Sequence, residues 1–141
     1  LSPEDLRDMI ENMPSGKSNK LRNIRNQAML TLGFAGAFRR SELVAIDVDD
    51  ADRVEDGYRI LVRKSKTDQT AKGRDVGIPY GAYKKTCPVR SLDRWIKVSG
   101  IVEGPLLCGV SQDGLEVLEG HRINDRSVAR IIQSATGADG A

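Results

Sequence analysis

Arg39, Arg40 and Glu42 fall within four residues of one another, directly after an apolar run, and a cluster of bases follows further along the chain. A guanidinium presents a rigid fork of donors that fits carboxylate or phosphate oxygens two at a time. Arg39 and Glu42 lie three apart, so on a helix they are surface neighbours. Taken alone they read as an ordinary ion pair of about 0 to 1 kcal/mol. The net charge of +2 hides an uneven distribution. Asp47, Asp49, Asp50, Asp52, Glu55 and Asp56 form an acidic block interrupted only by Arg53. Arg59, Arg63, Lys64, Lys66, Lys72 and Arg74 form a basic block interrupted only by Asp68. The basic block suits a polyanion, although charge alone favours two solvated surfaces.

Other chemistries fail on spacing. Asp47-x-Asp49 opens like a calcium loop, yet Ala51 and Asp52 stand where the next ligand and the turn glycine belong. Cys87 and Cys108 are far apart and lack metal-type companions, which excludes a disulfide framework and a zinc site. There is no phosphate-cradling glycine loop and no Ser/His/Asp set. No metal, cofactor or small-molecule substrate is expected.

The elements that must position these residues belong to one domain, or to a piece of one, since 141 residues are too few for two. Hydrophobic residues at 39% and charged residues at 30% fit a soluble globular chain rather than a disordered or membrane one. The N-terminus opens with Leu and has no basic flank leading into an apolar stretch, so no secretory signal is expected and a cytoplasmic location is. Ser2, Pro3 and Asp5 have the form of a capping box and predict a helix over about 3–13. Leu21, Ile24, Ala28, Leu32 and Ala35 recur at helical spacing, and Ala28 to Phe38 is apolar nearly all round, which predicts a central buried helix. A short helical turn follows over 41–46. Alternation at Tyr58, Ile60 and Val62, and again at Val76 and Ile78, predicts two strands joined by the basic connection 64–73. Val48 to Val54 is the expected third strand. Pro88 starts a helix that Gly100 stops, with Trp95 in the core. The segment 104–110 reads as a short buried or linking segment. Asn124 or Asp125 caps a last helix bearing Val128, Ile131 and Ile132, and a loop-like tail covers 136–141.

Gly36-Ala37-Phe38-Arg39-Arg40-Ser41-Glu42-Leu43, at the end of a helix beginning Arg25-Asn26-Gln27-Ala28, resembles the first catalytic box of tyrosine recombinases and phage integrases, usually written Gly-Leu-Arg-x-Ser-Glu-Leu. The resemblance aligns the box arginine with Arg39 and its acidic residue with Glu42. It implies that Arg39 neutralises the non-bridging oxygens of a five-coordinate phosphate and that Glu42 holds the Arg39 guanidinium in place. The stretch Val62-Arg63-Lys64-Ser65-Lys66-Thr67-Asp68-Gln69, with Gly73-Arg74-Asp75-Val76-Gly77-Ile78-Pro79, is similar to the lysine-bearing hairpin of the same family. It implies that Lys66, or alternatively Lys64, protonates the departing 5′ oxygen. Arg40, Arg63, Lys64, Lys72 and Arg74 are the expected DNA contacts.

The family's later His-x-x-Arg box and tyrosine nucleophile have no counterpart here. His121-Arg122-Ile123-Asn124 carries Asn where the second arginine belongs, so His121 reads as a surface residue, and Tyr58, Tyr80 and Tyr83 read as packing residues. The helix over 126–135 resembles the one that precedes the missing box. The expectation is therefore a single partial catalytic domain over 1–141, α/β in composition but mostly helical, with a small three-stranded antiparallel sheet. The implied activity of the parent protein is site-specific recombination or integration through a 3′ phosphotyrosine, on duplex DNA and as a tetramer, with this chain inactive by itself. The alternatives are a non-catalytic DNA-binding remnant and a related tyrosine transposase.

Overall fold

A computed structural model of the chain describes residues 2–63 and 73–136. The first helix, α1 (Pro3–Glu11), begins as its sequence dictates: the Ser2 hydroxyl accepts from the Asp5 N–H at 3.1 Å, and the Asp5 carboxylate accepts from the Ser2 N–H at 3.0 Å. It ends two residues earlier than expected. Leu6, Met9 and Ile10 face the core.

Helix α2 (Lys20–Gly36) is the central element, with Ile24, Ala28, Met29 and Leu32 buried. Its last turn is more open than the apolar sequence suggests, since Phe34 is 40% exposed. The helix closes on Ala37, whose φ of 51° is left-handed, and Phe38 N–H reaches back to the Gly33 carbonyl at 3.3 Å. This is the six-to-one closure that glycine usually makes. It reverses the chain, leaves Arg39 extended, and starts α3 (Arg40–Ala45) immediately afterwards.

The expected sheet is present. β1 (Ala51–Val54), β2 (Gly57–Val62) and β3 (Arg74–Pro79) pair antiparallel in the order β1-β2-β3. Residues 48–50 form a 3-10 turn instead of extending the first strand, because their aspartates favour local side-chain-to-backbone bonds over a ladder. Tyr58, Ile60 and Val62 put one face of β2 into the core. Gly57 has φ 148°, and a Cβ there would meet the Ile78 carbonyl oxygen at 2.0 Å, so the tight β1–β2 turn requires glycine. Val62, the last residue of β2, and Arg74, the first of β3, are ladder partners.

Helix α4 (Pro88–Ser99) stops at Gly100, φ 69°, and packs along α2 with Val89, Leu92 and Trp95 fully buried. Trp95 Nε1–H donates to the Leu106 carbonyl at 2.8 Å. The 104–110 segment is buried at Leu106, Leu107 and Cys108, and it ends in an unexpected strand of a second antiparallel hairpin, β4 (Cys108–Val110) with β5 (Val117–Arg122). Asn124 caps α5 (Asp125–Thr136) by accepting from the Ser127 N–H at 2.8 Å. Arg25 is buried on α2 and ties it to the second hairpin, donating to the Cys108 carbonyl at 3.1 Å and to Asn26 Oδ1 at 2.9 and 3.1 Å. No helix among the described residues is long and apolar enough to cross a membrane.

Candidate nucleic-acid interface

The left-handed turn at Ala37 sets Arg39 at the N-cap of α3 with φ −68° and ψ 153°. In that conformation the Arg39 backbone N–H points along the helix start and donates to Glu42 Oε1 at 2.8 Å. Its guanidinium has no hydrogen-bond or ion-pair partner among the described residues, and Arg39 and Arg40 are both exposed.

Glu42 does not grip the Arg39 guanidinium, as the resemblance implied. Its carboxylate is filled by Arg74 at the start of β3, which donates to Oε2 at 2.9 Å and to Oε1 at 3.3 Å. The Arg74 bond, then the Arg39 N–H, hold the Glu42 carboxyl below its ordinary range. The same pairing holds the Arg74 guanidinium above its own. Local spacing points Glu42 at Arg39, whereas only the tertiary arrangement brings Arg74 to it.

The acidic and basic blocks also meet. Antiparallel pairing sets Asp52 opposite Arg59, and the two form an ion pair at 3.1 Å. Arg63 donates to Asp50 Oδ1 at 3.0 and 3.1 Å and reaches Asp47 Oδ2 at 3.3 Å. Asp47 is shared with Arg122 of β5, whose guanidinium also bonds the Val44 carbonyl at 2.8 Å. Thus Arg59, Arg63 and Arg74 all have carboxylate partners. Lys64, Lys66 and Lys72 lie outside the described residues.

The three tyrosines are engaged by groups other than Arg39. Tyr58 is buried as expected and bonds Asp93 through its hydroxyl; burial, then that bond, push its phenol well above the ordinary range. Asp93 is also held by Arg53 at 3.1 Å. Tyr80 and Tyr83 are exposed rather than packed: Arg53 and Arg90 lie over the Tyr80 ring, and Arg7 lies 4.7 Å from the centre of the Tyr83 ring. His121 is exposed on β5. Sequence reasoning missed Asp50, Asp93 and Arg122; the alternation of acidic and basic blocks was the signal for the first of these.

Comparison with known proteins defines the class. The fold matches a crystal structure of XerA recombinase with a TM-score of 0.62 at 19% identity, over 99% of this chain and 42% of that one. An integrase/recombinase XerD homolog from Selenomonas ruminantium is 37% identical over 121 residues, 86% of this chain and 35% of its own length. Recombinase Cre of Escherichia phage P1 is 30% identical over 117 residues, 79% of this chain and 31% of its own length. No family model matches. The architecture is that of a recombinase catalytic domain, and the chain spans about a third of the length of these curated relatives. The chain belongs to the tyrosine recombinase family.

Proposed function

We propose that the protein to which this chain belongs breaks and rejoins duplex DNA at specific sites, and that this chain supplies the part of the catalytic domain that receives the scissile phosphate. The observation that carries the reading is the exposed Arg39 guanidinium, fixed at its backbone by Glu42 yet unpartnered among the described residues at its side chain. An arginine in that state offers two parallel donors to the non-bridging oxygens of a phosphodiester, which gather charge in a five-coordinate transition state.

In the reaction proposed, a tyrosine oxygen bonds to phosphorus, the bond to the 5′ oxygen breaks, and a lysine ammonium gives its proton to that leaving oxygen. Lys66 is the proposed acid, with Lys64 as the alternative. Reversal by a new 5′ hydroxyl regenerates the phosphodiester, so no metal or nucleotide is consumed. Tyr58, engaged by Asp93, and Tyr80 and Tyr83, each beneath an arginine, do not serve as the nucleophile. By itself this chain is therefore proposed to bind DNA without cutting it. Arg40, Lys64 and Lys72 are the proposed backbone contacts, assembly into a tetramer on DNA is the proposed working state, and the cytoplasm the proposed location.

Binding of the chain to duplex DNA across a salt series tests this reading, with an Arg39→Ala, Lys66→Ala double variant beside the wild type. Salt-sensitive binding that the double substitution weakens supports it. Strand breaks made by the isolated chain would overturn the assignment of the tyrosines, and absence of binding at low salt would overturn the interface.

A further inference from the structure

Arg63 and Arg74, described residues on either side of the 64–72 segment, are fastened to α3 and to the turn that follows it. Arg63, directly after β2, holds Asp50 at 3.0 Å and Asp47 at 3.3 Å, in the turn that follows α3. Arg74, the first residue of β3, holds Glu42 at 2.9 Å, within α3 itself. Arg74 therefore grips α3 itself and Arg63 grips the turn that follows it.

Surface ion pairs usually contribute little, because two flexible side chains must be ordered against solvent. These pairs differ in one respect. The Glu42 carboxylate already accepts the Arg39 N–H at 2.8 Å, and the Asp50 carboxylate already accepts the Asp47 N–H at 2.9 Å. The Asp50 side chain is 4% exposed and that of Glu42 18%, against 56% for Arg63 and 55% for Arg74. Each arginine therefore docks onto an acceptor that backbone and burial have already immobilised, and less conformational freedom is lost in making the pair. Arginines whose forks are filled in this way are poorly placed to meet a phosphate.

We propose that Arg63 and Arg74 are positioning residues that clamp the end of β2 and the start of β3 onto α3 and the turn that follows it, and are not DNA contacts. The value of that clamp to catalysis rests on the function proposed above, whereas the clamp itself does not.

Two measurements on the whole chain decide the matter. In amide hydrogen exchange, an Arg63→Gln, Arg74→Gln variant is expected to lose protection in β2, β3 and α3 by at least about fivefold. Arg63→Lys, Arg74→Lys should restore most of that protection. Glu42→Gln should reproduce the β3 part of the loss and add nothing to Arg74→Gln. In DNA binding, the glutamine variant should keep the wild-type salt slope, whereas two lost phosphate contacts would make the slope shallower by about 0.9 for each. Unchanged exchange overturns the clamp, as does a shallower slope in the glutamine variant. If the wild-type chain binds no DNA, the functional reading falls while the exchange comparison still decides the clamp.

Discussion

Glu42 and Arg74 stand 32 residues apart in the chain and meet in a two-pronged ion pair, at 2.9 and 3.3 Å, that closes the sheet onto α3. The pair gives acid stability a direction. Glu42 titrates below its ordinary value in the folded chain, so its contribution is present above the unfolded carboxylate range and is lost as pH falls through the lowered folded value. The wild type should lose stability over that acidic window more steeply than Glu42→Gln, in denaturant midpoints measured from pH 6 down to about pH 3. Equal slopes would show that the pair contributes nothing.

Ala37 makes the left-handed closure between α2 and α3 with φ 51°. An L side chain there costs about 1 kcal/mol, part of which is returned because alanine restricts the unfolded chain. Ala37→Gly should therefore stabilise by about 0.5 kcal/mol, seen as a raised urea midpoint at unchanged m. A loss of stability would mean that the methyl group packs productively in the turn.

Tyr58→Phe removes the hydroxyl that donates to Asp93 and leaves Asp93 with Arg53. Because the acceptor is charged and the ring is 4% exposed, the loss should be about 1.5 kcal/mol. Thermal unfolding checks it, and an unaltered midpoint would refute the bond's importance.

Arg25 is a buried cation with neutral acceptors, and burial pushes its guanidinium down to about 10. Replacing a buried charge by an apolar chain of similar length is often nearly neutral, whereas truncation leaves a hole. Arg25→Met should stay within about 1 kcal/mol of the wild type, and Arg25→Ala should lose about 2 to 4 kcal/mol. Similar losses for the two would mean that the bond to the Cys108 carbonyl, not volume, is what matters.

What could be read from the sequence was what local rules govern. The Ser2 and Asn124 caps, the glycine after Ser99 and the alternation in β2 each act within a few residues, and those elements formed where expected. The β4–β5 hairpin was missed because β4 has only three residues and β5 is largely exposed, so neither shows a two-residue period. Glu42 was assigned to the Arg39 guanidinium by the helical neighbour rule, which fails because Arg39 is extended at the N-cap and offers its N–H there instead. The pairing of Arg63 with Asp47 and Asp50 was not legible, because composition records the acidic and basic blocks without the register that folds one onto the other.

Trp95 is the chain's only tryptophan, fully enclosed between α2 and the segment after α4, with its indole N–H bonded to a carbonyl. Its emission should accordingly be blue-shifted in the folded chain and move to the red on unfolding, a single built-in optical probe of the core. Because the indole lies far from solvent, soluble quenchers should scarcely reach it, and DNA added to the Arg39 side should leave the signal unchanged. Folding and binding can therefore be followed in one cuvette without either reading contaminating the other.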